Sequence, residues 1–137
     1  SRTAPWYVDY ANYIVANFIR PSFTYQQKEK VFYDLRHYFW DDPHLYKEGV
    51  DGVIRRCVPE HEQEQILCKC HSEAYGGHHA GDRTAHNILQ SSFYWPTLFK
   101  DAHKFVLSCD ECQRIGNISR HQEMPMKYSL VIEPSNV

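Results

Sequence analysis

Hydrophobic side chains recur at three- and four-residue steps near the start of the chain, which is the period of an amphipathic helix. The first stripe comprises Trp6, Tyr10, Tyr13 or Ile14, and Phe18. Pro21 is expected to end this helix, because proline lacks the N–H that a helix interior needs. A second helix is predicted to begin near Thr24, since Thr24 and Gln27 have the spacing of a capping box. Its apolar face comprises Val31, Leu35 and Tyr38 or Phe39, and residues 40–43 are expected to close it.

A glycine-containing reversal at residues 48–52 separates two short runs of strand-forming residues, 45–47 and 53–58. Two such runs around a glycine-rich turn are typical of a β-hairpin. After Pro59, residues 60–70 are rich in helix formers, and the glutamates of the first turns suit the positive end of a helix dipole. We therefore expect a hairpin followed by a helix whose carboxyl end leads into His71.

Two further helices are predicted in the second half of the chain. The first runs from Asp82 or Arg83 to Gln90, and its inward side chains are Ala85, Ile88 and Leu89. The second is expected to have Pro96 at its first position, where a missing N–H costs nothing, and to end near Cys109. Its buried face comprises Leu98, Ala102, Phe105 and Val106. The overall pattern predicts a mainly α-helical fold with a short β-hairpin and a helical extension at the amino-terminal end.

Histidine and cysteine side chains in this region have the spacing of a metal site. Six residues separate His71 from His78, thirty separate His78 from Cys109, and two separate Cys109 from Cys112. Two thiolates of a CxxC turn can converge on one ion, and two imidazoles complete a tetrahedral set that suits Zn²⁺. Four protein ligands leave no open position, so the ion would be structural. His79 is an alternative to His78, because only one of two adjacent side chains can face the ion.

Several motifs here resemble the HHCC zinc-binding domain of integrases from gypsy-type long-terminal-repeat retrotransposons. They are His71, Gly77-His78, Arg83-Thr84, Phe93-Tyr94-Trp95-Pro96, Phe105-Val106 and Cys109-Asp110-Glu111-Cys112-Gln113. The resemblance implies a zinc-stabilised helix-turn-helix-like domain. The ligands that it implies for a single structural zinc ion are His71, His78, Cys109 and Cys112. Family members often read Gly-His-x-Gly, whereas Gly81 stands one place later here; counting back from Thr84 still favours His78.

The resemblance also implies a domain organisation. Residues 1–59 correspond to an amino-terminal extension with two helices and a hairpin, residues 60–116 to the zinc-binding domain, and residues 117–137 to a linker. In the family a catalytic core carrying three carboxylates follows, and these residues do not contain it, so we expect no strand-transfer activity from them. The family's role implies self-association or contact with other integrase domains, and engagement of DNA ends.

Charge and composition limit the other classes of function. The formal net charge is −2 and the isoelectric point is near 6.5, so the chain lacks the basic footprint of an independent nucleic-acid binder. DNA contact is therefore expected to be weak and auxiliary. No apolar run approaches the length that spans a bilayer, and nothing points to a small-molecule substrate. An odd number of cysteines, five, favours a reducing compartment; we expect an intracellular protein that is nuclear when acting in integration.

Two alternatives compete with this interpretation. His71-Ser72-Glu73 with Cys109 and Cys112 loosely satisfies the HxE and CxxC pattern of zinc deaminases, in which an open zinc position holds a water. That alternative leaves His78 without a role, and Ser108 stands where the deaminase signature has proline. A second alternative is a host-adopted, zinc-dependent protein-interaction module that keeps the fold but has lost its role in integration.

Overall fold

The computed structural model describes residues 4–71 and 80–109, and five helices and four strands lie within these ranges. In chain order they are α1 (Val8–Ala16), α2 (Tyr25–Leu35), β1 (Tyr38–Asp41), β2 (His44–Glu48), β3 (Ile54–Cys57), α3 (Glu60–His71), α4 (Ala80–Gln90), β4 (Phe93–Tyr94) and α5 (Leu98–Ser108). The prediction of a mainly α-helical chain with a short β-hairpin is confirmed. Within the described ranges, no helix is long and apolar enough to cross a membrane.

The chain divides into two compact units. The first unit is Ser1–Glu60 with Ser92–Tyr94, and the second unit is His61–Ser91 with Trp95–Val137. The domain boundaries inferred from the sequence, at residues 59/60 and 116/117, stay predictions. The predicted linker at 117–137 lies outside the described residues.

Helix α1 is shorter than its hydrophobic stripe. It ends at Ala16, and Asn17 takes a left-handed conformation with φ 58°. The Asn17 N–H bonds to the Tyr13 carbonyl at 2.8 Å, and the Phe18 N–H bonds to the Asn12 carbonyl at 3.2 Å. A short polar side chain tolerates that conformation and so terminates the helix before Pro21 is reached. Trp6 precedes the helix, and its indole Nε1–H donates to the carbonyl of Val58 at 2.8 Å. The expectation of a helix up to Pro21 is therefore wrong at its carboxyl end.

Helix α2 begins as predicted and ends earlier than predicted. The Thr24 hydroxyl accepts from the Gln27 N–H at 3.1 Å, and the Gln27 side-chain oxygen accepts from the Thr24 N–H at 2.8 Å, which confirms the capping box. The helix stops at Leu35, and Tyr38–Asp41 forms strand β1 instead of a last helical turn. Tyr38 is buried whereas Phe39 is exposed, so consecutive aromatic side chains take opposite faces of a strand.

The four strands form one sheet in the order β1-β2-β3-β4. Strands β2 and β3 are the predicted antiparallel hairpin, and β1 adds to it antiparallel on the other side of β2. Strand β4 pairs parallel with β3, with Cys57 opposite Tyr94, and the Val58 N–H donates to the Tyr94 carbonyl at 3.0 Å. The core of the first unit consists of Tyr38, Leu45 and Cys57, against which Trp6, Tyr7, Tyr10, Trp40 and Tyr94 pack.

The Cys57 thiol belongs to this core. Its side chain is fully buried, and burial raises the pKa of the Cys57 thiol to about 12. Since a metal ligand must be a thiolate, a thiol held neutral in an apolar core acts as a small hydrophobic group. Cys57 therefore serves packing in the first unit.

The start of α5 differs from the prediction by two residues. Thr97 is its N-cap, so Pro96 lies ahead of the cap and not at the first helical position. The carboxylate of Asp101 accepts from the Trp95 indole at 2.8 Å and from the Thr97 hydroxyl at 2.7 Å. Trp95 is 1% exposed. These two hydrogen bonds anchor the first turn of α5 beside a buried ring, which sets the helix start at Leu98.

Candidate metal centre

His71 is placed at the carboxyl end of α3 and is 4% exposed. Its ring makes an edge contact with Phe105 of α5, with centroids 5.5 Å apart and planes at 80°. Phe105 lies one helical turn before Cys109. The structure therefore places His71, a predicted ligand, next to α5, whose C-cap is the predicted ligand Cys109.

A hydrogen bond to α4 orients the His71 ring. Nδ1 of His71 lies 3.3 Å from the hydroxyl oxygen of Thr84, which is fully buried. The Thr84 hydroxyl itself donates to the carbonyl of Ala80 at 2.7 Å. A hydroxyl has one proton, so the Thr84 oxygen faces the His71 ring with its lone pairs. A zinc-binding imidazole must be neutral, with the lone pair of one ring nitrogen free for the ion.

A second contact holds the end of α3 against α4. The side-chain amide of Asn87 donates to the carbonyl of Cys70 at 3.4 Å, next to His71 in the chain. Cys70 is buried, whereas Cys68 on the same helix is exposed. The end of α3 is thus fixed to α4 through both its backbone and its histidine.

Cys109 is the C-cap of α5. Its N–H bonds to the Val106 carbonyl at 3.2 Å, and its φ of −84° and ψ of 117° lead the chain out of the helix. The side chain is half-buried, and it forms no disulfide with another described cysteine. A reduced, accessible cysteine at a helix end, one turn beyond the contact of His71 with Phe105, fits the role of a thiolate ligand.

The other two predicted ligands, His78 and Cys112, and the alternative ligand His79 lie outside the described residues. Among residues 4–71 and 80–109, no three His, Cys, Asp or Glu side chains are grouped closely enough to hold a metal ion. Only two of the four predicted ligands fall in those ranges. The complete ligand set stays a prediction, and the two described residues of that set, a histidine and a cysteine, are of the types that bind zinc.

The remaining histidines of α4 and α5, His86 and His103, are surface residues. The His86 ring makes an edge contact with Phe99 at 5.3 Å. His103 bonds through Nε2 to the Asp82 carboxylate at 2.7 Å, and both side chains are about half exposed. Sequence reasoning missed Thr84 as the partner of His71, because a contact between residues thirteen apart on two helices has no local signal.

Gly81 allows α4 and α5 to approach each other. A Cβ at this position would lie 2.5 Å from Nδ1 and 2.8 Å from Cγ of His103. Gly81→Ala should therefore displace the His103 ring, break its bond to Asp82 and lower the free energy of unfolding by about 1 kcal/mol. Urea denaturation with zinc present measures the change.

The matched control for Gly81→Ala is the same substitution in a His103→Ala background. With the ring gone, alanine's greater helix propensity should make the substitution neutral or stabilising by up to ~1 kcal/mol. An equal loss of stability in both backgrounds would contradict the steric explanation.

Residues 58–117 match the protein family described as integrase zinc binding domain. An uncharacterized mitochondrial protein of Arabidopsis thaliana is 56% identical over 50 residues, which are 36% of this chain and 42% of that protein. Gypsy retrotransposon integrase-like protein 1 of Mus musculus is 28% identical over 96 residues, covering 66% of this chain and 18% of the relative.

The Bos taurus protein of the same name is 35% identical over 71 residues, 52% of this chain and 14% of the relative. The chain thus spans less than half the length of each of these relatives. No solved structure gives a significant match to the chain.

Proposed function

We propose that the chain acts as the non-catalytic amino-terminal part of a gypsy-type retrotransposon integrase, because residues 58–117 match the family described as integrase zinc binding domain. It holds one structural zinc ion. The ligands are His71, His78, Cys109 and Cys112. The observation that carries the proposal is the buried His71 ring, which lies against Phe105 of α5, the helix whose C-cap is Cys109.

The zinc serves the fold and not a reaction. Four protein ligands leave no position for a water or a substrate, so the bound ion supplies cross-linking alone. His71 is presented from the end of α3 and Cys109 from the end of α5, and the ion joins these two chain segments. Thr84, Asn87 and Phe105 fix the ring and the helix end before metal binds.

Self-association is the second part of the proposal. Phe99 and Leu107 lie on α5 with 40% and 70% of their surface exposed. Apolar side chains on the same helix, two turns apart, favour contact with another protein surface over contact with phosphate. The partner is a second copy of this chain or another domain of the same integrase.

Loss of apolar surface on α5 tests this contact. Phe99→Ser combined with Leu107→Ser should shift the zinc-loaded protein from oligomer to monomer in size-exclusion chromatography with light scattering. Val15→Ser in α1, at 60% exposure, is the matched control and should leave the oligomer unchanged. A wild-type protein that is monomeric at high concentration would contradict self-association through this helix.

DNA contact is proposed as auxiliary, at the ends of the element and in the nucleus. The formal net charge of −2 provides little attraction to phosphate. Fluorescence anisotropy with a duplex end should show weak binding that falls steeply with salt, since the 15 Lys and Arg are offset by 17 Asp and Glu, and those that contact phosphate act through counterion release. Tight, salt-insensitive and sequence-specific binding by this chain would contradict the auxiliary role.

A further inference from the structure

We propose that Thr84 is a positioning residue of the metal centre, which sets the tautomer of His71 and thereby selects Nε2 as the ligand atom. The inference rests on the zinc binding proposed above and assigns a role to a residue that is not itself a ligand. It is carried by two successive contacts of the Thr84 hydroxyl, one with the Ala80 carbonyl oxygen and one with Nδ1 of His71.

The direction of each hydrogen bond follows from the inventory of donors. A carbonyl oxygen can only accept, so the Thr84 proton points to Ala80 at 2.7 Å. The hydroxyl oxygen then offers only lone pairs to the imidazole at 3.3 Å. Nδ1 must therefore carry the ring proton, since two lone pairs that face each other at this distance repel.

Burial makes this arrangement decisive. Thr84 is fully buried and His71 is 4% exposed. In the other tautomer the deprotonated Nδ1 would face a lone pair of the Thr84 oxygen, and in a buried setting of low dielectric water screens that repulsion little. The protein therefore favours the Nδ1–H tautomer before zinc binds, which leaves Nε2 as the metal donor.

Threonine at this position is suited to the task by its place in α4. The Ala80 carbonyl is four residues earlier in the same helix, so bonding back along the helix consumes the hydroxyl proton without any outside partner. The local geometry of one helix thus determines the protonation of a ligand on another. A valine would fill the same space but could not accept a hydrogen bond from His71.

Thr84→Val tests the role of the hydroxyl. Its zinc affinity, measured by competition with a chelator of known affinity, should fall roughly 10- to 100-fold, the usual effect of removing the hydrogen-bond partner of a ligating histidine. Thr84→Ser keeps the hydroxyl and should restore affinity to within about threefold of wild type. Thr97→Val removes a hydroxyl that bonds Asp101 instead, and should leave zinc affinity unchanged.

A spectroscopic measurement separates positioning from general destabilisation. Nitrogen-15 NMR of the histidine side chains in the zinc-loaded wild type should show His71 protonated at Nδ1 and coordinated through Nε2. Coordination of His71 through Nδ1 would overturn the inference even if Thr84→Val binds zinc weakly, and this reading does not depend on whether that variant folds.

The outcomes distinguish this inference from the proposed function. Wild-type protein that binds zinc, together with a folded Thr84→Val of equal affinity, would overturn the positioning role and leave the zinc-binding function intact. Wild-type protein that binds no zinc would overturn both.

Discussion

Removing zinc with a chelator should unfold α3, α4 and α5, and this is the largest effect we expect. The described core of the second unit has few large apolar side chains, namely Leu67, Ile88, Trp95 and Leu98; its other buried residues are Cys70, His71, Ala80, Gly81, Thr84, Ala85 and Ala102. A core of this size supplies only a few kcal/mol. Structural zinc contributes on the order of 10–16 kcal/mol in comparable small domains, so folding and metal binding are one equilibrium.

Circular dichroism at 222 nm and amide hydrogen exchange measure this loss. Protection of the α4 amides should disappear with the chelator and return when zinc is added back. Magnesium is the matched control and should not restore protection, because it prefers oxygen ligands to thiolate and imidazole. Full protection of α4 in excess chelator would contradict a structural role for the metal.

Replacing Trp95 with alanine should lower the free energy of unfolding by about 3–5 kcal/mol, which is the usual cost of deleting a buried aromatic ring. Trp95 is 1% exposed, and its indole donates to Asp101 at the start of α5. The substitution therefore both opens a cavity and removes one of the two hydrogen bonds that anchor the helix. Urea denaturation in saturating zinc measures the change, so that metal binding is held constant.

Trp95→Phe separates the two contributions. A phenyl ring keeps most of the packing but cannot donate to Asp101, which still accepts from the Thr97 hydroxyl. We expect a loss of about 1–3 kcal/mol, the value of a hydrogen bond to a charged group with some loss of ring volume. A loss below about 1 kcal/mol for Trp95→Ala would show that Trp95 does not hold the core of this unit.

Local sequence patterns predicted the elements whose signals are local. The capping box at Thr24 and the glycine turn between β2 and β3 are each specified within a few residues, and both are present. The first two residues of β1 are predicted from the sequence as the end of a helix, because Tyr38 or Phe39 continues the hydrophobic stripe of α2. Strand β4 pairs with β3 although more than thirty residues separate the two strands along the chain. No local pattern can predict a parallel pairing of that kind.

The sequence predicts the candidate metal centre only through the spacing of its histidines and cysteines. A CxxC turn restricts the geometry of two ligands, and the histidine spacing adds two more, so the sequence predicts His71, His78, Cys109 and Cys112; this set stays a prediction. The contacts that position the His71 ring could not be predicted from the sequence. Thr84 and Phe105 reach His71 only after three helices have packed, and a threonine within a helix pattern has no distinguishing signal before that.

Native mass spectrometry of the zinc-loaded protein tests the central claim most directly. We predict one zinc ion per chain in the wild type, loss of that ion in His78→Ala, and retention in both His79→Ala and Glu73→Ala, since neither His79 nor Glu73 belongs to the proposed closed set of four ligands. Zinc retained at one equivalent in His78→Ala would contradict the claim, because it would mean an open coordination position or a different ligand.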